Sequence, residues 1–327
     1  MTGGEERMPT LSVILTNYNH AALLPRALDA ILAQSRPADE VLLIDDASRD
    51  NSVAVMEDYQ RRHPVIRILR NPTNLGVLLT ANKAAATAKG DYLYFAAADD
   101  EVLPGFFEHG MALAERHPEA GLVCGMTELR TPEDRLIATM GVRAWNVAGC
   151  FDPQRALVDY FEREPAAHSL CGGTLYRRTP FLELGGYNPG LGPWGDTFVA
   201  RSLALRHGMG YVPRPFMIFY VYPNSYSQKA GFADMLDVVA RAAHAMRQPP
   251  FDALFPADFV ARWKRRYLRE LAESDIYNRA PFLTRLLAKV LKRVPLVGLG
   301  LYRGMVDRTT LRAIKDARRP ESRPLPT

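Results

Sequence analysis

Residues 40–50 read EVLLIDDASRD, an apolar run that ends in two adjacent aspartates, Asp45 and Asp46. A short, wholly apolar run bounded by turn-forming residues is typical of a strand buried on both faces. Working outward, strands of the same kind are predicted at 11–16, 65–69 and 92–97, and helices at 21–34, 52–62 and 75–88. Strands that alternate with helices of this length predict right-handed crossovers and a largely parallel α/β sheet with both faces covered.

The pattern is looser after residue 120. Extended segments are predicted near 120–127, 171–178 and 211–221, and helices near 153–163 and 195–207. Beyond residue 232 the chain is predicted to be helical over 232–246, 257–273, 280–293 and 301–317. We therefore predict a domain over 1–230, with halves 1–120 and 121–230, followed by a helical extension over 231–327.

The composition limits the class of protein. No apolar run reaches the roughly 18 residues of a membrane span, and the first ten residues, MTGGEERMPT, do not resemble a secretion signal. The cysteines Cys124, Cys150 and Cys171 have no paired spacing. This favours a reducing compartment, argues against a cysteine-ligated metal site, and predicts that all three pack as small apolar side chains. We expect a cytoplasmic protein.

Charge is unevenly distributed along the chain. Residues 261–327 carry 17 Lys and Arg against 6 Asp and Glu, whereas the rest of the chain has a net charge of −6. Residues 281–293 (PFLTRLLAKVLKR) form an apolar stripe with basic residues beside it, which suits an anionic membrane surface at the inner face of the plasma membrane. A helix that packs on the first domain is an equal alternative. No nucleic-acid-reading motif accompanies the charge, so we do not expect a nucleic-acid partner.

Polar clusters follow three of the predicted strands: residues 16–19 (TNYN), Asp45-Asp46 and Asp99-Asp100. Ligands of an open parallel sheet bind at the carboxyl ends of its strands. Such residues also cap helices and form turns, and for Asp45-Asp46 the two interpretations are even. For Asp99-Asp100 we favour a site, because adjacent acids repel each other unless a divalent cation compensates them. No glycine-rich phosphate loop is present, so metal-assisted nucleotide-sugar chemistry is favoured over a dehydrogenase or a kinase.

Taken in series, these segments resemble the inverting family 2 glycosyltransferases of the GT-A fold. The resemblance covers about residues 10–228, and it is carried by the segments SVILTNYN (12–19), EVLLIDDASRD (40–50), NLG (74–76), GDY (90–92), ADD (98–100), LPG (103–105), LGGY (184–187) and WGDTF (194–198). It implies a Rossmann-like α/β/α domain with a mostly parallel mixed sheet. It also implies transfer of a sugar, with inversion, from a nucleotide-diphosphate sugar to a saccharide or lipid-linked acceptor hydroxyl. A UDP-sugar is the first expected donor, and polysaccharide, O-antigen or glycolipid assembly the expected setting.

The same resemblance assigns roles to individual residues. Thr16 and Tyr18 would contact the nucleoside, and Asp46 would bond the edge of the base. Asp99 would touch the ribose or the metal, and Asp100 would coordinate Mg²⁺ or Mn²⁺.

Asp196 matches the position of the family's catalytic base. Its alternative role is to cap the helix that runs from 197 to 207. A non-catalytic nucleotide-sugar-binding protein remains an alternative function. A nucleotidyltransferase is another, although residues 16–20 do not form the basic glycine-rich loop expected of one.

Two departures from the family pattern concern the cation and the diphosphate respectively. Ala97 stands where the family often has another acid, and Val221 and Tyr222 stand where it commonly has Arg and His. If that Arg and His normally bind the diphosphate, another side chain must donate hydrogen bonds to it here, and the alternatives are Lys83, Tyr222 and Lys229.

Overall fold

A computed structural model describes residues 7–222 and 232–279, which form two compact units. The first unit contains residues 7–160 and 169–222, and the second contains residues 161–168 and 232–279. The predicted halves 1–120 and 121–230 share one continuous sheet in the first unit, because strands of the second half pair directly with strands of the first.

The first unit is built on a ten-stranded mixed sheet with the order β3-β2-β1-β4-β9-β6-β10-β5, in which β7 also pairs with β6 and β8 with β10. In chain order the strands are Leu11–Asn17 (β1), Glu40–Asp45 (β2), Ile66–Arg70 (β3), Tyr92–Ala97 (β4), Glu101–Val102 (β5), Leu122–Arg130 (β6), Leu136–Met140 (β7), Gly149–Phe151 (β8), Thr174–Arg177 (β9) and Met209–Tyr220 (β10). Strands β1 to β4 are mutually parallel, and β9 runs antiparallel between β4 and β6. The predicted α/β sheet is confirmed as a mixed sheet: β1 to β4, β6 and β10 run in one direction, and β5, β7, β8 and β9 run in the opposite direction.

The helices of this unit are Leu24–Leu32 (α1), Ser52–Arg62 (α2), Val77–Thr87 (α3), Phe106–Arg116 (α4), Pro153–Arg155 (α5), Arg178–Glu183 (α6) and Gly195–His207 (α7). Helix α1 has a proline in its first turn, where the missing N–H costs nothing. It buries Leu24, Leu28 and Ile31, which stand four and three residues apart and therefore share one face. The helix predicted over 153–163 is α-helical only in α5 and continues as a π-helix over Ala156–Phe161.

The amino end of β4 is anchored tightly to β1. Gly90 N–H donates to Ser12 Oγ at 2.8 Å, and a Cβ on Gly90 would lie 2.5 Å from Ser12 N, so only glycine fits there. The Asp91 carboxylate accepts hydrogen bonds from Thr10 N (2.8 Å) and from Arg7 Nη2 (2.8 Å). The GDY segment therefore holds the sheet together at the edge opposite the predicted site.

The second unit contains the helices Phe232–Ala245 (α8) and Ala257–Arg279 (α9), which confirm two of the predicted C-terminal helices. It also includes residues 161–168, which the sequence did not associate with it. The reason is α9: Glu270 Oε1 accepts the Ala166 N–H at 3.0 Å, and the buried Trp263 donates through Nε1 to Ala166 O at 3.3 Å.

The remaining predicted helices, 280–293 and 301–317, lie outside the described residues, as does the basic segment 281–293. Among the helices that the structure does describe, none combines the length and the apolar character that a membrane crossing requires.

Candidate active site

The register of β1 brings the three polar clusters to one edge of the sheet. Strand β1 lies between β2 and β4, and Thr16 is level with Ile44 on one side and Ala97 on the other. Neighbouring strands are about 4.8 Å apart, so the segments after β2 and β4 begin about 10 Å from each other. Asp46 and Asp99, which follow these strands, therefore emerge on either side of the TNYN turn.

Asp45 forms the turn at this edge. Its carboxylate accepts hydrogen bonds from Asn17 Nδ2 (3.1 Å) and from Ser48 N (3.0 Å). Two non-glycine residues here have left-handed backbone conformations, Asn19 with φ 57° and Ala47 with φ 64°. Left-handed alanine is uncommon, and such strained residues concentrate at functional sites.

Asp46 organises the loop that leads to α3. It is 4 % exposed; its Oδ1 accepts hydrogen bonds from Asn71 Nδ2 (2.8 Å) and Leu75 N (2.9 Å), and its Oδ2 accepts one from Gly76 N (2.9 Å). A carboxylate oxygen has two lone pairs, so Oδ2 retains one acceptor position for a ligand. Lys83, one of the alternatives for the diphosphate donor, donates through Nζ to Asn71 Oδ1 at 2.7 Å and so supports this network.

Thr16 and Tyr18 occupy the middle of the edge. Thr16 is half-buried at the end of β1, between the segments that carry Asp46 and Asp99. Tyr18 follows in the turn with 41 % of its surface exposed, which leaves its ring accessible to a planar partner. The positions suit a small polar contact beside an aromatic platform.

Asp99 and Asp100 follow β4 directly. Asp100 Oδ1 accepts the Tyr220 N–H at 3.2 Å, which ties the acidic pair to the end of β10. Burial, and then the charge of Asp99, raise the pKa of the Asp100 carboxyl well above its ordinary value. Two adjacent carboxyl groups, one of them buried, fit a hard divalent cation, which takes oxygen ligands. Ala97 offers no third carboxylate.

The sequence did not identify Arg26 of α1, which supports this pair. Its Nη2 donates to the Asp99 carbonyl at 2.8 Å, and its guanidinium lies 3.9 Å from the centre of the Tyr220 ring. Gln34, two residues beyond the end of α1, donates through Nε2 to Leu103 O at 3.0 Å. Both side chains bond main-chain carbonyls, which every residue has, so no signal in the sequence would have revealed these contacts.

Asp196 lies in the first turn of α7. The helix begins at Gly195 with Trp194 at its N-cap position, so Asp196 is not the cap. Its Oδ1 accepts hydrogen bonds from the N–H and Oγ1 of Thr197, and burial raises the pKa of its carboxyl above the ordinary value. Cys171 Sγ is 3.9 Å from Thr197 Oγ1. Cys171 precedes β9, which runs antiparallel to β4 with Leu175 level with Tyr94. Residues before β9, and Asp196 beside them, therefore lie toward the carboxyl end of β4, which leads to the acidic pair.

The segment before Asp196 is attached to α3. Asn82 Nδ2 donates to Tyr187 O at 2.7 Å, and Tyr187 N donates to Asn82 Oδ1 at 2.8 Å. The Tyr187 ring packs against Phe95 of β4 at 4.8 Å and against Phe181 of α6 at 5.1 Å between ring centres. The two halves of the first unit are thereby fixed to each other around the site.

The segment after β10 is described only as far as Tyr222. Val221 N donates to Arg130 O at 2.8 Å, and the Tyr222 ring lies 6.4 Å from the ring of Tyr220. Lys229, another alternative for the diphosphate donor, lies outside the described residues.

Comparison with known sequences supports one family. The model of "Glycosyl transferase family 2" matches residues 12–185. The chain is 35% identical over 104 residues to an uncharacterized glycosyltransferase, YibD, of Escherichia coli, a match that covers 32% of this chain and 30% of that protein. It is 28% identical over 209 residues to polypeptide N-acetylgalactosaminyltransferase 10 of Homo sapiens, covering 58% and 34% respectively. The chain thus spans about a third of the length of these curated relatives.

Comparison with solved structures supports the fold. The structure of S. aureus TarS 1-349 in complex with UDP-GlcNAc is similar with a TM-score of 0.66 and 14% identity, over 94% of this chain and 79% of that one. The mannosyltransferase PcManGT from Pyrobaculum calidifontis, in complex with GDP-Man and Mn2+, gives a TM-score of 0.56 with 19% identity, over 95% and 86%. Both are GT-A-type α/β arrangements, and the predicted fold class is confirmed.

Proposed function

Since the chain belongs to glycosyl transferase family 2, we propose that it transfers a sugar from a nucleotide-diphosphate sugar to an acceptor hydroxyl with inversion at the anomeric carbon. The proposal rests mainly on the register of β1 with β2 and β4, because this register gathers Thr16, Asp46 and Asp99 at one edge. A UDP-sugar is the first candidate donor. The UDP complexes of the structurally similar TarS support that choice.

The nucleoside would bind around the TNYN turn. The exposed Tyr18 ring would stack on the base, and Thr16 would contact the nucleoside beside it. The free acceptor position of Asp46 Oδ2 would take a ring N–H of the base. Three hydrogen bonds hold the Asp46 carboxylate in place, so it would bond the base without having to rearrange.

Asp99 and Asp100 would hold Mg²⁺ or Mn²⁺, with Asp99 also within reach of the ribose. When bound, the cation offsets the charge that develops on the diphosphate leaving group. Arg26 would keep the pair in position through the Asp99 carbonyl. The Mn2+ complex of PcManGT supports a divalent cation at such a site.

Asp196 would act as the general base. Thr197 occupies Oδ1, so Oδ2 is the oxygen free to accept the proton of the acceptor hydroxyl. The hydroxyl oxygen would bond to the anomeric carbon as the bond to the diphosphate breaks, in one displacement. Burial raises the pKa of Asp196, which makes its carboxylate a stronger base.

The acceptor would be a saccharide or a lipid-linked saccharide, in polysaccharide, O-antigen or glycolipid assembly. Peripheral binding to the inner face of the plasma membrane is proposed from the basic residues 281–293. Binding of the full chain to anionic vesicles should weaken with salt, whereas equal binding to neutral vesicles would contradict an electrostatic contribution.

The decisive experiment separates binding from turnover. Thermal shifts with UDP-, GDP-, CDP- and TDP-sugars, with and without Mn²⁺, would identify the donor, and release of nucleoside diphosphate would then be measured. Asp196→Asn should still bind donor while turnover falls about 10²- to 10⁴-fold, the usual contribution of a general base. The matched control is Asp152→Asn, a true N-cap whose Oδ1 accepts Arg155 N–H at 2.8 Å.

The outcomes distinguish the candidate functions. Normal turnover in Asp196→Asn would contradict the assignment of the base. Donor binding without any turnover in the wild type would favour a non-catalytic nucleotide-sugar-binding protein. No shift with any donor would reject the proposal.

A further inference from the structure

Three side chains with metal-binding atoms meet at the opposite edge of the sheet. Within the described residues, the ligand atoms of His117, Glu119 and Cys150 lie within 4.8 Å of one another, and His117 Nδ1 is 3.2 Å from Glu119 Oε1. We propose that these residues form a second divalent-cation site, selective for Zn²⁺ and similar thiophilic ions.

The location separates this cluster from the candidate active site. His117 and Glu119 precede β6, and Cys150 lies on β8, which pairs with β10 at Gly210, near the amino end of β10. The candidate active site lies at the carboxyl ends of the parallel strands. β6 has nine residues, so the two edges are about 30 Å apart at about 3.3 Å per residue.

Hydrogen bonds to main-chain atoms hold the segments that carry the three ligands in place before any ion binds. His117 N donates to Leu113 O at 3.1 Å, which ends α4, and Ala120 N donates to His117 O at 3.1 Å, which closes the turn. The carbonyl between the two ligands, that of Pro118, accepts a hydrogen bond from the Arg177 guanidinium. Cys150 is fixed independently by its pairing with β10.

The ligand types indicate the metal. Imidazole nitrogen, thiolate sulfur and carboxylate oxygen are the ligands that zinc takes, at about 2.0–2.3 Å, so their atoms would be about 3.3–3.8 Å apart in a tetrahedral site. Closing the cluster requires movements of about 1 Å, and the Glu119 side chain, 64% exposed, is free to make them. The Asp99-Asp100 pair offers only oxygen, which suits Mg²⁺ or Mn²⁺ instead.

The spacing of the cysteines in the sequence did not predict this site. His117 and Cys150 are about thirty residues apart, and only the pairing of β8 with β10 brings the thiol to the turn after α4. Three protein ligands leave the fourth position open to water at the surface. A bound ion would join the end of α4 to β8.

The test uses the metal-free full-length chain titrated with Zn²⁺, and with Co²⁺ as a spectroscopic probe. We expect one tight Zn²⁺ per chain and a thiolate-to-cobalt charge-transfer band. Cys150→Ser should abolish the band and weaken Zn²⁺ binding at least about tenfold, because changes in the outer shell alone already cost that much. Glu119→Gln, at an exposed position, should weaken binding without disturbing the fold.

Two controls complete the design. Cys124→Ala removes a buried thiol elsewhere, and Asp100→Asn removes a carboxylate of the other site. Both should retain the band and the Zn²⁺ affinity, so the result does not depend on the proposed function. A Co²⁺ spectrum without charge transfer, or one unchanged in Cys150→Ser, would overturn the proposal, as would unchanged Zn²⁺ affinity in both site variants.

Discussion

Replacing Asp46 by asparagine tests how the candidate site would recognise a base. Oδ1 accepts Asn71 Nδ2 and Leu75 N at 2.8 and 2.9 Å, and Oδ2 accepts Gly76 N at 2.9 Å. An amide oxygen in the Oδ1 position keeps the first two bonds. The new Nδ2 then faces the Gly76 N–H, so one hydrogen bond becomes a contact between two donors.

Asp46→Asn should lower both the free energy of unfolding and the affinity for the nucleotide, and the structure sets the size of each loss. The Gly76 N–H keeps its second acceptor, Asn74 Oδ1 at 3.0 Å, so the loss in the free energy of unfolding should be about 1 kcal/mol, the net contribution of one hydrogen bond. The Asp46→Asn variant would also lose the proposed bond between a charged acceptor and the ring N–H of uracil. Such a bond contributes about 1.5–3 kcal/mol, which corresponds to about 10- to 100-fold weaker binding.

The assay compares two nucleotides. Uracil presents an N–H at its ring position 3, whereas cytosine presents an acceptor nitrogen there. Asp46→Asn should therefore weaken UDP binding while binding of CDP is maintained or improved, as measured by calorimetry with Mn²⁺ present. Urea unfolding of the same preparations measures the loss of stability.

Asp45→Asn is the matched control for this prediction. Asp45 is equally buried and bonds Asn17 Nδ2 and Ser48 N. An amide oxygen in the Oδ2 position keeps the Ser48 N–H, and the new Nδ2 faces Asn17 Nδ2, so this variant also loses one hydrogen bond within the protein. UDP affinity should change little. Equal losses for Asp45→Asn and Asp46→Asn, or equal losses for UDP and CDP, would refute recognition of the base by Asp46.

Three further predictions concern the scaffold, the acidic pair and the base. Gly90→Ala places a Cβ 2.5 Å from Ser12 N and should cost about 1–3 kcal/mol in urea unfolding. Arg26→Leu removes the bond to Asp99 O and should weaken Mn²⁺-dependent nucleotide binding about tenfold, with a smaller effect on metal-free melting; equal effects would contradict a positioning role. The pKa of Asp196 is raised from 3.8, so turnover should rise with pH through the raised pKa. Because the folded-state pKa is raised, the carboxyl stabilises the fold fully below its unfolded pKa, and this contribution is lost as pH rises through the folded-state pKa. At pH 7 the ionised Asp196 carboxylate therefore no longer stabilises the fold. The melting temperature of Asp196→Asn at pH 7 should be no lower than that of wild type.

The sequence predicted the elements that bury continuous apolar runs. The ends of β1, β2 and β4 fall within about two residues of their predicted positions, because each is a short apolar run between helices. Strands β7 and β8 were not predicted. Four of the five residues of β7 are exposed, and β8 has only three residues, so neither has an apolar run to detect.

The acidic residues of the candidate site could be predicted from the sequence, whereas the contacts that hold them in place could not. Arg26 and Gln34 bond the carbonyl oxygens of Asp99 and Leu103, about seventy residues away in the sequence. Every residue has a carbonyl, so the identity of an acceptor residue carries no information about such a bond. The same holds for residues 161–168 and the second unit, where α9 bonds main-chain atoms of Ala166.

The acids at the two edges of the sheet differ in their electrostatics. At the amino edge, burial would raise the pKa of Asp91, but hydrogen bonds from Thr10 and the charge of Arg7 outweigh burial, and the pKa is lowered. At the carboxyl edge, burial raises the pKa of Asp100 and of Asp196, and the surrounding bonds do not offset it. Carboxyl groups with a raised pKa at one edge of a sheet are typical of binding and catalytic sites, which supports the roles proposed for these two. A cation bound at Asp100 would compensate the charge of that carboxylate, and an acceptor hydroxyl at Asp196 would supply the proton that this carboxylate takes up.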